Sequence, residues 1–478
     1  MKNVVITPAT RLEGEAKIAI FLDDKGKVKD AFFQAEELKG FEQFCIGRKV
    51  EELPRIVTSI CGVCPWPHHI ASVKALDMLF GRTPPEPARK IRELGHYAHI
   101  IDSHTLHFYI MIAADFLLPN ADRSERNVFG LLKKNPQLVK DYLKNRKYIT
   151  QIEEIVGGRT IHPVFGLPGG VSRGIAKEER STIKNIASAW IDYAKNSLEE
   201  FEELFKKGLH SLGKVYYNNS YSMSLVDENE HVAYYDGKVR VVDPNGKEVA
   251  KFDGKDYLNF IGEQTLSWSY TKFPYLKKVG WKGCEDGVNS GTYKVGPLAR
   301  INASNGYSTQ LADEAYKRMI EFLGKPIHAS LTYHWARFIE VLHMAERMSE
   351  IAEYENITSK EILNLSGEKQ NFGVGVVEAP RGTLIHHYET DGNMITKKVN
   401  IIVPTTMNNA SINIEIKRVA QNLIKGSEIQ KELLNRIEMA FRAYDPCIAC
   451  SVHSISGRAS LRVLIFDNNK NLIKEATS

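Results

Sequence analysis

Two short motifs stand near opposite ends of the chain, Cys61-Gly62-Val63-Cys64 and Cys447-Ile448-Ala449-Cys450. Each offers a pair of soft sulfur donors. Four thiolates together suit a tetrahedral zinc or a softer redox metal, and a thiolate can also bridge two ions into a binuclear unit. By spacing alone, structural zinc and a reactive centre stand level. Two further features weigh against zinc. The pairs sit far apart in a chain large enough to build its core without a metal staple. Each pair is also followed by a histidine, His68 after the first and His453 after the second; a closed zinc site has no use for these, whereas a reactive metal needs nearby bases and hydrogen-bonding groups. The other two cysteines, Cys45 and Cys284, are isolated. They are too few for an iron–sulfur cluster, which takes four ligands, and read as small buried apolar side chains. Electrons handled at such a centre must therefore leave through another subunit.

The elements that would position these residues are legible in outline. Lys17 to Leu22 and Val28 to Ala35 alternate as strands around the turn Asp23-Asp24-Lys25-Gly26. Helical periodicity runs from Pro87 to Leu118 and from Ala176 to Leu209, and a glycine-rich loop at 157–170 lies between them. Short β-prone runs broken at Asp236-Gly237, Asp243-Pro244-Asn245-Gly246 and Asp253-Gly254 predict an antiparallel insertion near 216–270. Helical stretches follow at 308–322 and 334–354, then a β-rich block from Val374 to Pro404 with a turn at Asp391-Gly392-Asn393. The chain continues with helices at 409–423 and 427–441 and a strand at 461–466 entering a turn at Asp467-Asn468-Asn469. The expected class is α+β and helix-dominated: a central bundle of long helices with peripheral antiparallel β elements. There is no internal repeat and no low-complexity segment.

Composition narrows the partners. The chain has 478 residues, 43% apolar and 25% charged, with 63 basic and 58 acidic side chains and a net charge of +5. No dense basic run tracks phosphates, so nucleic acid is excluded as an expected partner. No stretch supplies the ~18 uninterrupted apolar residues of a membrane span. The N-terminus lacks an apolar leader and a twin-arginine pair, which points to the cytoplasm.

With these residues in view, the chain resembles the large, catalytic subunit of nickel-iron hydrogenases over almost its whole length. The resemblance rests on Ile60-Cys61-Gly62-Val63-Cys64-Pro65-Trp66-Pro67-His68 and Asp445-Pro446-Cys447-Ile448-Ala449-Cys450-Ser451-Val452-His453. It is joined by Arg11-Leu12-Glu13-Gly14, Lys39-Gly40-Phe41-Glu42, Gly158-Arg159-Thr160-Ile161-His162-Pro163, Glu378-Ala379-Pro380-Arg381-Gly382 and Pro404-Thr405-Thr406-Met407-Asn408. It implies a nickel held by Cys61, Cys64, Cys447 and Cys450. Cys64 and Cys450 would also bridge to an iron carrying carbon monoxide and cyanide. Cys447 stands where some relatives have selenocysteine. Hydrogen is a very weak acid, and its heterolytic cleavage needs an electrophilic metal for the hydride and a base for the proton. By resemblance, Arg381 sits over the open coordination site and Glu13 relays protons from the Cys447 thiolate. Glu42 and His453 are the implied magnesium ligands, with water completing the octahedron. His68 is implied as a hydrogen-bond donor to a bridging sulfur, and Asp445 as part of the network around the metals. His69 and the pair His104 and His107 read as packing or hydrogen-bonding groups outside the site.

The resemblance also implies a small subunit with iron–sulfur clusters. Further electron transfer would run to a heterodisulfide reductase and ferredoxin system, with deazaflavin- or nicotinamide-reducing enzymes as the alternative. The competing classes are a zinc-stapled scaffold and the quinone-site subunit of respiratory complex I, which lacks the cysteine pairs. Two departures from respiratory relatives, Ser103 in place of aspartate and Ser59 in place of arginine, point to the cytoplasmic branch. The expected division is a domain over 1–453 and a C-terminal extension over 454–478, the part that a maturation protease removes in the family.

Overall fold

The computed structural model describes residues 2–122, 124–424, 431–452, 462–466 and 472–477. Four long helices, Glu86–Leu106, Pro136–Gly157, Lys177–Lys207 and Thr332–Glu353, form the central bundle. Thr332–Glu353 packs on both Lys177–Lys207 and Glu86–Leu106, and Pro136–Gly157 packs on Glu86–Leu106. The Lys177–Lys207 helix buries a stripe running through Ile183, Ala187, Trp190, Ala194, Leu198, Phe201 and Phe205, a helical period that the sequence displays openly.

The helix expected from Pro87 to Leu118 is present in three joined pieces. An α segment, Glu86–Leu106, widens into a π-type stretch at His107–Ile112 and resumes as Ala113–Leu117. Two of the long helices have no counterpart in the sequence pattern. Pro136–Gly157 carries legible ends: Asn135 accepts from Leu138 N, Pro136 opens the first turn, and Gly158 closes the helix at φ 72°. Pro65–Leu79 is different. All its residues except Lys74 and Met78 are buried, so it has no polar face and no period to detect.

The sheets are small. Ala16–Leu22 and Val28–Ala35 form the expected hairpin, and Lys2–Ile6 adds a third antiparallel strand. Within the insertion, Tyr221–Val226, Lys238–Val242 and Glu248–Asp253 are antiparallel neighbours, and Tyr293–Lys294 joins Tyr221–Val226 in parallel. The third sheet orders Phe372–Ala379, Gly382–Thr390 and Thr396–Ile402, with Pro380 and Arg381 at the tip of its first hairpin. Helix Pro65–Leu79 lies directly on this sheet. The approach is so close that a Cβ on Gly375 would stand 1.9 Å from the Ala71 carbonyl oxygen, and one on Gly373 2.0 Å from that of Ala75. Only glycine fits there.

Helix Pro404–Leu423 begins five residues earlier than the periodicity suggested, and Lys431–Tyr444 supplies the last long helix. Residues 427–430 of the expected 427–441 helix lie outside the described residues. Arg462–Phe466 pairs antiparallel with Leu472–Thr477. The expected turn at Asp467–Asn469 lies outside the described residues, as does His453. Among the described residues, no helix is long and apolar enough to cross a membrane.

Candidate metal centre

Cys61 and Cys64 lie just before the N-terminus of the Pro65–Leu79 helix, Cys64 at its cap. Cys447 caps the short helix Ile448–Ser451, which carries Cys450. The fold brings the two pairs together across 386 residues of chain: Cys61 Sγ is 3.3 Å from Cys447 Sγ, Cys64 Sγ is 3.0 Å from Cys450 Sγ, and Cys447 Sγ is 2.8 Å from Cys450 Sγ. All four sulfurs lie within 4.8 Å of one another, and all four residues are buried. Burial pushes the Cys447 and Cys450 thiols well up. Hydrogen bonds from the neighbouring thiols, Cys447 first, pull Cys61 well down. Such a set of soft, deprotonatable donors suits a thiophilic metal, and its size admits a binuclear unit.

The backbone around Cys447 is pinned on two sides. Thr405, in the first turn of the Pro404–Leu423 helix, accepts from Cys447 N at 2.9 Å. On the other side the N-terminal segment runs beside it as a parallel bridge at Glu13, whose carbonyl accepts from Ile448 N at 2.8 Å. Gly14 makes this contact possible: it sits at φ 83°, and a Cβ there would lie 2.9 Å from Ala449 N. The result places Glu13 Oε2 2.9 Å from Cys447 Sγ, where it also accepts from Ala449 N at 3.2 Å. Burial raises the Glu13 pKa, the charge near Cys61 raises it further, and the bond from Cys447 offsets part of this. A carboxyl so biased keeps its proton to higher pH than a solvated one.

Arg381 projects from the hairpin tip and is buried. Its Nε donates to the Asp445 carbonyl at 2.6 Å and its Nη2 to Asp445 Oδ1 at 3.1 Å. Burial opposes its charge, but Asp445 and the cysteines outweigh it and hold the guanidinium protonated. Burial likewise raises the Asp445 pKa, with Arg381 and Arg337 pulling it back. Among the described residues, Arg381 Nη1 and Asp445 Oδ2 have no hydrogen-bond partner. Two oriented polar atoms left over beside four thiols fit a site that receives a further group.

His68 is buried and lines a small cavity with Cys64, Arg381, Cys447 and Cys450. Glu42 belongs to the short helix Phe41–Cys45, and its Oε1 accepts from Ile401 N at 2.8 Å. Two residues after Gly40 and three after Lys39, it lies on a segment tied to the second motif, because Lys39 N donates to the Val452 carbonyl at 2.9 Å. Its expected co-ligand His453 lies outside the described residues.

The residues set aside at the sequence level have ordinary partners. His69 bonds Pro54 O and accepts from Gly166 N, with its pKa lowered to about 4 by burial. His104 pairs with Glu340 at 2.7 Å. His107 is the exception: it stacks on His334, its two buried ring nitrogens have no hydrogen-bond partner among the described residues, and its Nε2 lies 3.7 Å from Asp445 Oδ1. Asp102 does not turn toward the site in place of Ser103: Arg146 holds it at 2.6 and 3.1 Å. Some contributors escaped the sequence reading. Glu378, known there only as part of a motif, accepts from Leu225 N and Arg300 and so anchors the Arg381 hairpin. Thr405 gave no signal beyond its motif. His386 and Tyr388, which stand behind His68, gave none.

Four buried convergent thiols beside an arginine and a carboxyl define a metal-binding protein whose donors suit a thiophilic, redox-active ion. A family model described as nickel-dependent hydrogenase matches residues 39–123 and 192–453, and one described as HoxL-like matches residues 3–38. The chain is 46% identical to an F420-non-reducing hydrogenase iron-sulfur subunit of Archaeoglobus profundus, over 99% of both chains. It is 38% identical to an F420-non-reducing hydrogenase subunit of Methanothermobacter marburgensis, over 99% of this chain and 100% of the relative. A crystal structure of an NAD+-reducing [NiFe]-hydrogenase in the H2-reduced state superposes with a TM-score of 0.90 at 37% identity, covering 95% of this chain and 100% of that one. The chain belongs to the nickel-dependent hydrogenase family, as a large subunit carrying the nickel-iron site. It is an oxidoreductase acting on hydrogen within a multi-subunit enzyme.

Proposed function

We propose that the chain splits hydrogen reversibly into two protons and two electrons at a nickel-iron centre held by its four cysteines. Cys61, Cys64, Cys447 and Cys450 would hold the nickel, and Cys64 and Cys450 would also hold an iron that would bear carbon monoxide and cyanide. When bound, the centre supplies the electrophilic, redox-active metal against which hydrogen is polarised. The protein supplies the rest. Glu13 takes the proton from the Cys447 sulfur and passes it toward solvent along the half-buried N-terminal segment. Arg381, held by Asp445, points a fixed positive charge at the cavity where hydrogen enters. Glu42 and His453 hold a magnesium ion beside the site, and His68 and Asp445 tune the thiolates and the arginine. The observation that carries this reading is the approach of Glu13 to 2.9 Å from Cys447 Sγ within a set of four sulfurs no more than 4.8 Å apart.

Electrons leave through a small subunit with iron–sulfur clusters. Beyond the four site cysteines this chain has only Cys45 and Cys284, too few to ligate a cluster. The acceptor is a heterodisulfide reductase and ferredoxin system, supported by similarity to the F420-non-reducing subunits. The competing acceptor is a nicotinamide, favoured by the solved NAD+-reducing relative. The protein works in the cytoplasm, and residues 454–478 form an extension that a maturation protease removes from the 1–453 domain.

Infrared spectroscopy of the purified complex, with metal analysis of the same sample, tests the centre. The expected result is bands of metal-bound carbon monoxide and cyanide with about one nickel per chain, four thiolates forming one site. Zinc alone in a matured sample would sink the reading. Hydrogen-dependent reduction of a heterodisulfide against that of nicotinamide, measured on the same complex, decides the acceptor.

A further inference from the structure

The loop that delivers Glu13 is closed at its base, where Ala9 N donates to the Ala16 carbonyl at 2.8 Å. Within it two residues take left-handed backbone, Arg11 at φ 61° and Gly14 at φ 83°. Glycine adopts that conformation freely, whereas an arginine there is strained unless its surroundings hold it. Arg11 is held. Its Nη1 donates to the Met111 carbonyl at 3.0 Å, and its Nη2 donates to Asp115 Oδ1 at 2.6 Å and to Asn435 Oδ1 at 2.7 Å.

The three acceptors come from separate elements. Met111 belongs to the π-type stretch His107–Ile112, Asp115 to the short helix Ala113–Leu117 that follows it, and Asn435 to helix Lys431–Tyr444. Asp115 is buried, and its other oxygen accepts from Arg442 Nη1 at 3.1 Å. Arg442 also donates to Glu438 at 2.7 Å and, through Nε, to the Thr10 carbonyl at 3.1 Å; Glu438 in turn accepts from Thr10 N at 2.7 Å. Asn435, Glu438 and Arg442 share one helix face, at spacings of three and four residues. Thr10 and Arg11 are thereby fixed through backbone and side chain, two residues before Glu13. On the other side of Glu13, Gly14 and Glu15 are exposed, so packing there does little to hold the loop.

We propose that Arg11 is a positioning residue for proton transfer: its grip on Met111, Asp115 and Asn435 sets the separation between Glu13 Oε2 and Cys447 Sγ. This rests on the reading of Glu13 as the group that takes the proton from that sulfur. Transfer between fixed groups depends on their separation, and a misplacement of about 1 Å costs on the order of 10²-fold. Arg11 makes its side-chain bonds to Met111, Asp115 and Asn435 and not to the cysteines, so its substitution acts through Glu13. Two residues that act through one another do not add: removing Arg11 should matter only while Glu13 can still carry a proton.

The test is a double-mutant cycle on the assembled holoenzyme with Arg11→Ala, Glu13→Gln and the pair. Hydrogen oxidation is read with a viologen as acceptor and expressed per nickel, so that incomplete loading does not count as slow chemistry. A crystal structure of R11A gives the separation of Glu13 from Cys447. Expected are a fall of about 10-fold or more in R11A, a lengthened Glu13–Cys447 separation, and no further loss when R11A is added to E13Q. A strut for the fold at large would instead multiply the E13Q loss. Multiplied losses, a parent rate in R11A, or an unmoved Glu13 overturns the proposal. Should R11A fail to assemble, Asn435→Ala, which removes one acceptor of the guanidinium and leaves Asp115 in place, goes through the same cycle: a loss that vanishes in the E13Q background supports the proposal, and a parent rate or a multiplied loss overturns it. If E13Q alone keeps the parent rate, the Glu13 reading falls instead, and the separation in the variant crystal structure still decides whether Arg11 places that side chain.

Discussion

Glu13 and Cys447 sit 434 residues apart and within 2.9 Å of each other, and in the proposed function this contact carries the proton. Glu13→Gln keeps the shape and an acceptor oxygen but removes the ability to carry a proton. Hydrogen oxidation should fall by about 10²-fold or more, the usual scale for a lost positioned acid–base group. Nickel content and the infrared bands should be retained; loss of nickel along with activity would instead make Glu13 a structural strut for the second motif. The cysteine pairs were legible because two C-x-x-C motifs with trailing histidines are rare, and their chemistry is local. Glu13 and Arg381 became legible only through their motifs, since an isolated glutamate or arginine has no spacing that marks it. Tyr388 and Ser72 had neither advantage: their hydrogen bond forms only where a helix meets a strand more than three hundred residues away in sequence.

That helix, Pro65–Leu79, shows why elements differ in legibility. Periodicity reveals a helix with one wet face, as in Lys177–Lys207, and is silent about one buried nearly all round. The same burial makes this helix the platform of the site, because it starts at Cys64 and carries His68 in its first turn. Its seating depends on Gly375. In Gly375→Ala the new Cβ meets the Ala71 carbonyl at 1.9 Å and Ala75 N at 2.7 Å, and backbone atoms cannot swing aside. Overpacking of this kind costs about 1–3 kcal/mol, and more where backbone must move. The expected outcome is a lowered melting temperature together with less nickel per chain, since the helix lifts away with Cys64. Gly392→Ala serves as the control: it lies in the exposed turn, where an added Cβ would meet nothing within 4 Å, and should leave both values unchanged. A stable, fully loaded G375A protein would show that the close approach does not govern the site.

At the scale of the whole molecule, the fold buries charge well beyond the metal centre, and this gives stability a pH dependence of its own. Glu415, on the Pro404–Leu423 helix, is fully buried; it accepts from Ser330 Oγ at 2.5 Å and Tyr444 Oη at 2.7 Å. Burial raises its pKa from 4.5 to about 7, against the pull of those two bonds and of Lys294 and Arg418. Lys294 is buried as well, donates to the Asn218 carbonyl, and is lowered from 10.5 to about 8. Between pH 4.5 and 7 the unfolded chain has released the Glu415 proton and the folded chain still binds it. Folding stability therefore falls as pH rises through that window, by roughly 1.4 kcal/mol per pH unit where the difference is one whole proton. Lys294 acts in the opposite sense: above pH 8 the unfolded chain holds a proton that the folded one has lost, so stability recovers toward pH 10.5. The joint contribution of these two groups is therefore lowest between about pH 7 and 8. Glu415→Gln keeps a partner for both hydroxyls and removes the first slope. The melting temperature of the parent minus that of E415Q, measured in one buffer series, should drop from pH 5 to 7 and level off above. Parallel curves across that range would mean that Glu415 is already ionised at pH 5, with Lys294 and Arg418 outweighing its burial. Since Tyr444 precedes Asp445 directly, the same series followed by the infrared bands asks whether this buried charge reaches Arg381.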